Sequence, residues 1–136
     1  MAAPSIRLIT TSKAPPATGH SQAVLLNNQT LYVSGQTGMI SGKTDVVPGG
    51  ARAEAKQAMT NIGEILTYAG SSFKHGDYQL QHHGGRHERL PGGQRGRSRT
   101  SSPRDTYPAR SFFQVVKLPK GAYVMIDVVA IVQGQS

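Results

Sequence analysis

The run from Ala122 to Val132 (Ala-Tyr-Val-Met-Ile-Asp-Val-Val-Ala-Ile-Val) constrains the fold more than any other stretch. It is dense in β-branched residues, which suit a pleated strand better than a helix. It is too short for a membrane span, which takes about 20 apolar residues, and it ends in a polar tail. Such a run predicts a central strand buried on both faces. Asp127 interrupts it. A carboxylate inside a buried strand is costly unless it is paired or hydrogen-bonded. Asp127 is therefore either a paired or functional carboxylate, or one turned to solvent at a strand edge, and the apolar setting favours the first.

A buried strand needs partners, and the sequence supplies them. Residues 5–10 alternate loosely and predict a first strand, followed by a loop carrying Pro15-Pro16. Gly19-His20-Ser21-Gln22 leads into the apolar Ala23–Leu26. Asn27-Asn28 is a hairpin signal, after which Thr30–Val33 runs into Ser34-Gly35-Gln36. A glycine at that point predicts a bulge or a close backbone approach. Residues 40–48 read as a turn-rich connection. Residues 51–69 form the clearest helix, with Ala55, Ala58, Met59, Ile62, Ile65, Leu66 and Ala69 on one stripe and Gly70 as its stop. Arg52, Glu54, Lys56, Gln57, Asn61 and Glu64 fall mainly on other faces. That stripe must be buried, and a sheet is the natural partner.

At 136 residues the chain is one domain, 1–136, with room for a real core. It has no cysteine, which excludes disulfides and thiol chemistry and fits a cytoplasmic location. Arg7, Lys13 and several Ser/Thr without an acid give the first residues a faint resemblance to a mitochondrial transit segment, but Ile6–Ile9 reads equally well as a strand. The net charge of +8 raises nucleic-acid binding as a function class. Residues 74–107, however, hold seven of the fifteen Lys/Arg and four of the five His. The excess charge thus belongs largely to one segment rather than to a general basic face.

That segment is anomalous. Its only aliphatic residues are Leu80 and Leu90, and it shows neither helical nor strand period, so it predicts an irregular segment within the domain. His75, His82, His83 and His87 lack a partner carboxylate or a common helical face, and no metal site is expected from them. The Arg/Gly/Ser run 95–104 resembles an RNA-binding tail, but only Tyr78 and Tyr107 supply stacking.

Beyond it lies Pro108-Ala109-Arg110, at the mouth of an apolar strand closed by the turn Leu118-Pro119-Lys120-Gly121. A guanidinium is a rigid fork that matches a carboxylate in bidentate fashion. Arg110 is either a clamp for a small organic acid or a surface arginine paired with some acid.

Taken together, the outer pieces resemble the reactive intermediate deaminase A family (RidA, the YjgF-type proteins). The pieces are Lys13-Ala14-Pro15 with Gly19-His20-Ser21-Gln22-Ala23, Tyr32-Val33-Ser34-Gly35-Gln36, the 51–70 helix, Pro108-Ala109-Arg110, and Leu118–Gly121 leading into Ile126–Ala130. The family carries a strand and a second helix before Pro-Ala-Arg, in a segment similar to Val-Ala-Asp-x-x-Asp-Phe-x-x-Val-Asn. This sequence lacks it. Reading the codons of residues 82–94 one nucleotide later admits Ile-Met-Val-Ala-Asp-Met-Asn-Asp-Phe-Gln-Ala-Val-Asn, which restores that motif in register. Our hypothesis is a pair of compensating frameshifts, one near residues 74–77 and one near 98–104. Resequencing the transcript tests it, and a frame free of compensating insertions and deletions relative to close relatives would sink it.

The resemblance implies a chorismate-mutase-like α+β domain, a mixed sheet packed by helix 51–69 with the usual second helix missing or scrambled. It implies a homotrimer with clefts between subunits, no cofactor, no metal and no membrane. The implied activity is hydrolysis of reactive 2-imino or enamine acids to 2-keto acids and ammonia. Arg110 matches the carboxylate-binding arginine, while Gly35 with Ser34 matches a stretch lining the cleft. Asp127 matches a water-orienting glutamate, one methylene shorter. His20 stands where the family usually has tyrosine. Alternatives are an RNA-binding, endoribonuclease or translation-inhibitor protein, also attributed to some relatives, or an inactive family member.

Overall fold

The computed structural model describes residues 2–73, 78–84 and 108–133. They form a six-stranded mixed sheet backed on one side by a helix. In chain order the elements are β1 (Ile6–Ile9), β2 (Ala23–Leu26), β3 (Thr30–Gln36), α1 (Ala51–Ala69), β4 (Tyr78–Gly84), β5 (Ala109–Gln114) and β6 (Val124–Ile131). The sheet order is β1-β2-β3-β6-β4-β5. All neighbours are antiparallel except β4 and β5, which run parallel. A parallel pair needs a long crossover, and here the crossover is the segment 85–107, outside the described residues. The expectation of a missing second helix falls on that segment too.

The hairpin between β2 and β3 turns at Asn27 and Asn28, whose φ values of 52° and 53° are the left-handed pair of a type I′ turn. The last strand is central, as its sequence demands, lying between β3 and β4. Its alternation is sharper than expected. Val124, Ile126, Val128 and Ala130 are buried on the helix side. Met125, Asp127 and Val129 are only half-buried on the other side. Burial on both faces is therefore corrected: α1 covers one face, and among the described residues no helix covers the second.

Helix α1 buries Ala58, Ile62, Ile65, Leu66 and Ala69 against the sheet. Each fully buried large aliphatic side chain contributes roughly 1.5–3 kcal/mol. Gly70, at φ 87°, ends the helix, and the Ser71 N–H closes back on the Leu66 carbonyl at 2.8 Å. Two polar residues assigned from sequence to other faces are in fact buried, Glu54 at 2% exposure and Asn61 at 1%. They are buried because they hold loop backbone. Glu54 Oε2 accepts the Tyr123 N–H at 2.7 Å, and Asn61 Nδ2 donates to the Met39 carbonyl at 2.7 Å. The loop before the helix passes so close that a Cβ on Gly38 would stand 2.6 Å from the Glu54 Cα.

The irregular segment expected at 74–107 is also corrected in part, because residues 78–84 form strand β4 between β5 and β6. Leu80, its one aliphatic residue, is 1% exposed on the helix side. Hydrogen bonding to strands on both sides outweighs the poor propensity of Gln and His.

Candidate functional site

The site grows from a fault in the β3–β6 ladder. Val33 pairs with Val128 and Gln36 with Ile126, so Ser34 and Gly35 together face the single residue Asp127. This is a bulge, and glycine permits it. A Cβ on Gly35 would stand 2.7 Å from the Met125 Sδ, closer than real contacts come. The bulge is anchored on its other side. Ser34 donates its Oγ–H to the Ser21 carbonyl at 2.7 Å and its backbone N–H to the Gln22 carbonyl at 2.9 Å. The loop bearing His20 is thereby tied to the bulge, although His20 itself is exposed. Its Nδ1–H donates to the Thr18 carbonyl at 3.0 Å.

That loop rests on Gln22, a residue 1% exposed that sequence reasoning treated only as part of a strand entrance. Its Oε1 accepts the Thr11 N–H at 2.7 Å, while Nε2 lies 2.8 Å from the Pro15 carbonyl, 3.1 Å from that of Thr11 and 3.3 Å from that of Ala14. A single amide side chain thus closes the loop 11–15 against β2.

Asp127 is paired, as its setting in the strand suggests. Its Oδ1 lies 2.8 Å from His83 Nε2. His83 stacks on Phe113 with ring centroids 5.9 Å apart and planes 26° apart. Neither His83 nor Phe113 figured in the sequence-derived chemistry, His83 only as a metal candidate. Their partners are remote in sequence, so no local spacing marks them. His82 and His83, as neighbours on a strand, point to opposite faces and do not share a site. His75 and His87 lie outside the described residues. Among the described residues, no three His, Cys, Asp or Glu gather to hold a metal.

His82 faces the helix side with Ile126 and Phe112 in register. Its Nε2 is buried and has no hydrogen-bond partner among the described residues. Burial, then electrostatic repulsion from Arg110 and His83, lower its pKa to about 4 against the partial offset of Asp127. It is a neutral ring near pH 7.

Arg110 lies on β5, the edge strand, exposed and in register with Leu80. Alternation along β5 puts it on the helix side, whereas Phe113 lies with His83 on the open side. The sequence-derived residues therefore fall into two groups. Ser34, Gly35 and Asp127 meet at the bulge with the His20 loop tied to them, and Arg110 sits across the sheet from them.

A mixed sheet of this order, bulged at its centre and helix-covered on one side, is the chorismate-mutase-like α+β class, and solved structures agree. A putative endoribonuclease from Thermotoga maritima superposes with a TM-score of 0.79 at 29% identity, over 94% of this chain and 98% of that one. RidA from an Antarctic Psychrobacter gives a TM-score of 0.71 at 30% identity, over 92% and 98%. The family model described as Endoribonuclease L-PSP matches residues 11–75. The 2-iminobutanoate/2-iminopropanoate deaminase of the goat, Capra hircus, is 41% identical over 92% of this chain and 89% of its own length. The chain belongs to the RidA (YjgF-type) family.

Proposed function

We propose that the chain is a hydrolytic deaminase that converts reactive 2-imino or enamine acids to 2-keto acids and ammonia. The carrying observation is the bulge, where a carboxylate faces the Ser34–Gly35 backbone on a half-open sheet face. Support comes from relatives named for this activity at about 40% identity. The chemistry asks little of the protein, because an imine carbon is already electrophilic. The site must hold the substrate carboxylate, place a water, and manage protons.

In this reading Arg110 holds the carboxylate, Gly35 and Ser34 line the cleft, Asp127 orients the water and His20 donates or relays a proton. Arg110 and Asp127 occupy opposite sides of one sheet, so the reading requires two copies to complete a site. A second copy also has a surface to cover. Register puts Ile6, Leu8, Tyr32 and Ile131 on the open face, at 67%, 66%, 49% and 46% exposure. An apolar sheet face of this kind favours association. A cytoplasmic homotrimer acting on a small imino acid, without a cofactor, completes the proposal. No helix among the described residues is long and apolar enough to cross a membrane.

The competing reading is RNA binding or cleavage, favoured by the +8 charge and by the name of the family model. The purified chain is to be given 2-iminobutanoate generated in situ, with release of 2-ketobutanoate followed against the spontaneous rate. Faster release is the expected result. A rate equal to the spontaneous one, alongside RNA binding that weakens steeply with salt, would favour the nucleic-acid reading. A rate equal to the spontaneous one without RNA binding would identify an inactive family member.

A further inference from the structure

His83 is held as a base would be held. Its Nε2 is 2.8 Å from Asp127 Oδ1, and a carboxylate accepts, so Nε2–H donates and Nδ1 is the nitrogen that carries the lone pair whenever the ring is unprotonated. Among the described residues no hydrogen bond engages that Nδ1. Phe113 fixes the ring plane from one side by stacking. The side chain is 21% exposed, open enough to meet a small molecule and sheltered enough to stay oriented. Asp127 stands opposite the Ser34–Gly35 bulge, so the ring it orients lies on the same open sheet face beside that bulge. An acid that fixes a histidine tautomer and steadies the imidazolium is a recurring way to make a positioned base.

We infer that His83, oriented by Asp127 and Phe113, is the general base of imine hydrolysis by this chain with residues 74–107 as its sequence gives them, an assignment that rests on the deaminase reading above. Its Nδ1 takes a proton from the water whose oxygen forms the new bond to the imine carbon. The electron pair of the C=N bond moves to the nitrogen of the protonated imine, giving a neutral carbinolamine. The imidazolium, facing Asp127, returns its proton to that nitrogen. The C–N bond then breaks as the hydroxyl becomes the keto oxygen, and the hydroxyl proton leaves with ammonia as ammonium. Substrate plus water equals keto acid plus ammonium, and His83 ends neutral. In this scheme Asp127 is a positioning residue that orients the water of the deaminase reading by way of the ring it holds.

The test is steady-state hydrolysis of 2-iminobutanoate by the full chain and by His83→Gln and His83→Ala, with folding checked by circular dichroism. A positioned base contributes about 10²–10⁴-fold. His83→Gln is therefore expected to lower kcat by about 10²-fold or more with KM nearly unchanged. Added imidazole is expected to restore part of the His83→Ala rate. Unchanged kcat in both variants would overturn the assignment and leave the deaminase reading standing. So would a loss that imidazole does not restore, because that marks a structural role. No turnover by the unaltered chain would overturn both.

Discussion

Arg110→Ala is expected to reduce kcat/KM for 2-iminobutanoate by about 10²-fold or more. Two parallel charge-assisted hydrogen bonds from a guanidinium to a carboxylate contribute roughly 1.5–3 kcal/mol each. Even the lower figure, doubled, amounts to about two powers of ten, at ~1.4 kcal/mol each. The loss should appear in KM and kcat together, since a carboxylate that is not held leaves the imine carbon misplaced over its water. Arg110→Lys keeps the charge but not the fork and should fall between the two. The side chain is exposed at the sheet edge, so neither variant should lower thermal stability appreciably. A catalytic loss accompanied by an equal loss of folded protein would contradict this assignment.

Gln22→Leu is expected to destabilise the fold by about 3–5 kcal/mol. The substitution leaves the Thr11 N–H and the carbonyls of Thr11 and Pro15 without the partner they have in a buried site. Each orphaned group costs roughly 1–3 kcal/mol, against a total stability of ~5–15 kcal/mol for a domain. Gln22→Glu is an informative companion, since it keeps an acceptor for Thr11 but loses the donor to the carbonyls. Urea unfolding monitors both, and a lower midpoint at unchanged slope is the expected signature. A midpoint shift worth less than about 1 kcal/mol would mean that water replaces the glutamine.

The elements that sequence reveals are those whose signals are local. The helix 51–69 declares itself by an apolar stripe and a terminal glycine, and its bounds match those observed. The Asn27-Asn28 turn does so by residues that tolerate positive φ. Gly35 marks the bulge because β3 has no room there for a Cβ. Strand β4 is invisible for the converse reason. It is made by its neighbours, and of its own residues only Leu80 has a large aliphatic side chain to bury. Glu54, Asn61 and Gln22 look like surface residues until the backbone they hold comes into view. The His83–Asp127 pair joins residues 44 apart in sequence, which no periodicity reports. Residue type leaves Arg110 either a clamp or a surface arginine, the clamp role comes with the family resemblance, and its side of the sheet follows only from the register with Leu80.

That separation is what makes the account testable. Arg110→Ala and Asp127→Ala chains, each inactive alone, are to be unfolded together and refolded as mixed oligomers, and 2-iminobutanoate hydrolysis measured. If each site draws Arg110 from one copy and Asp127 from its neighbour, random assembly in equal amounts should restore about one quarter of the unaltered activity, the chance that both contributors to an interface are native. Recovery no greater than the sum of the two variants measured separately would contradict a site shared between copies.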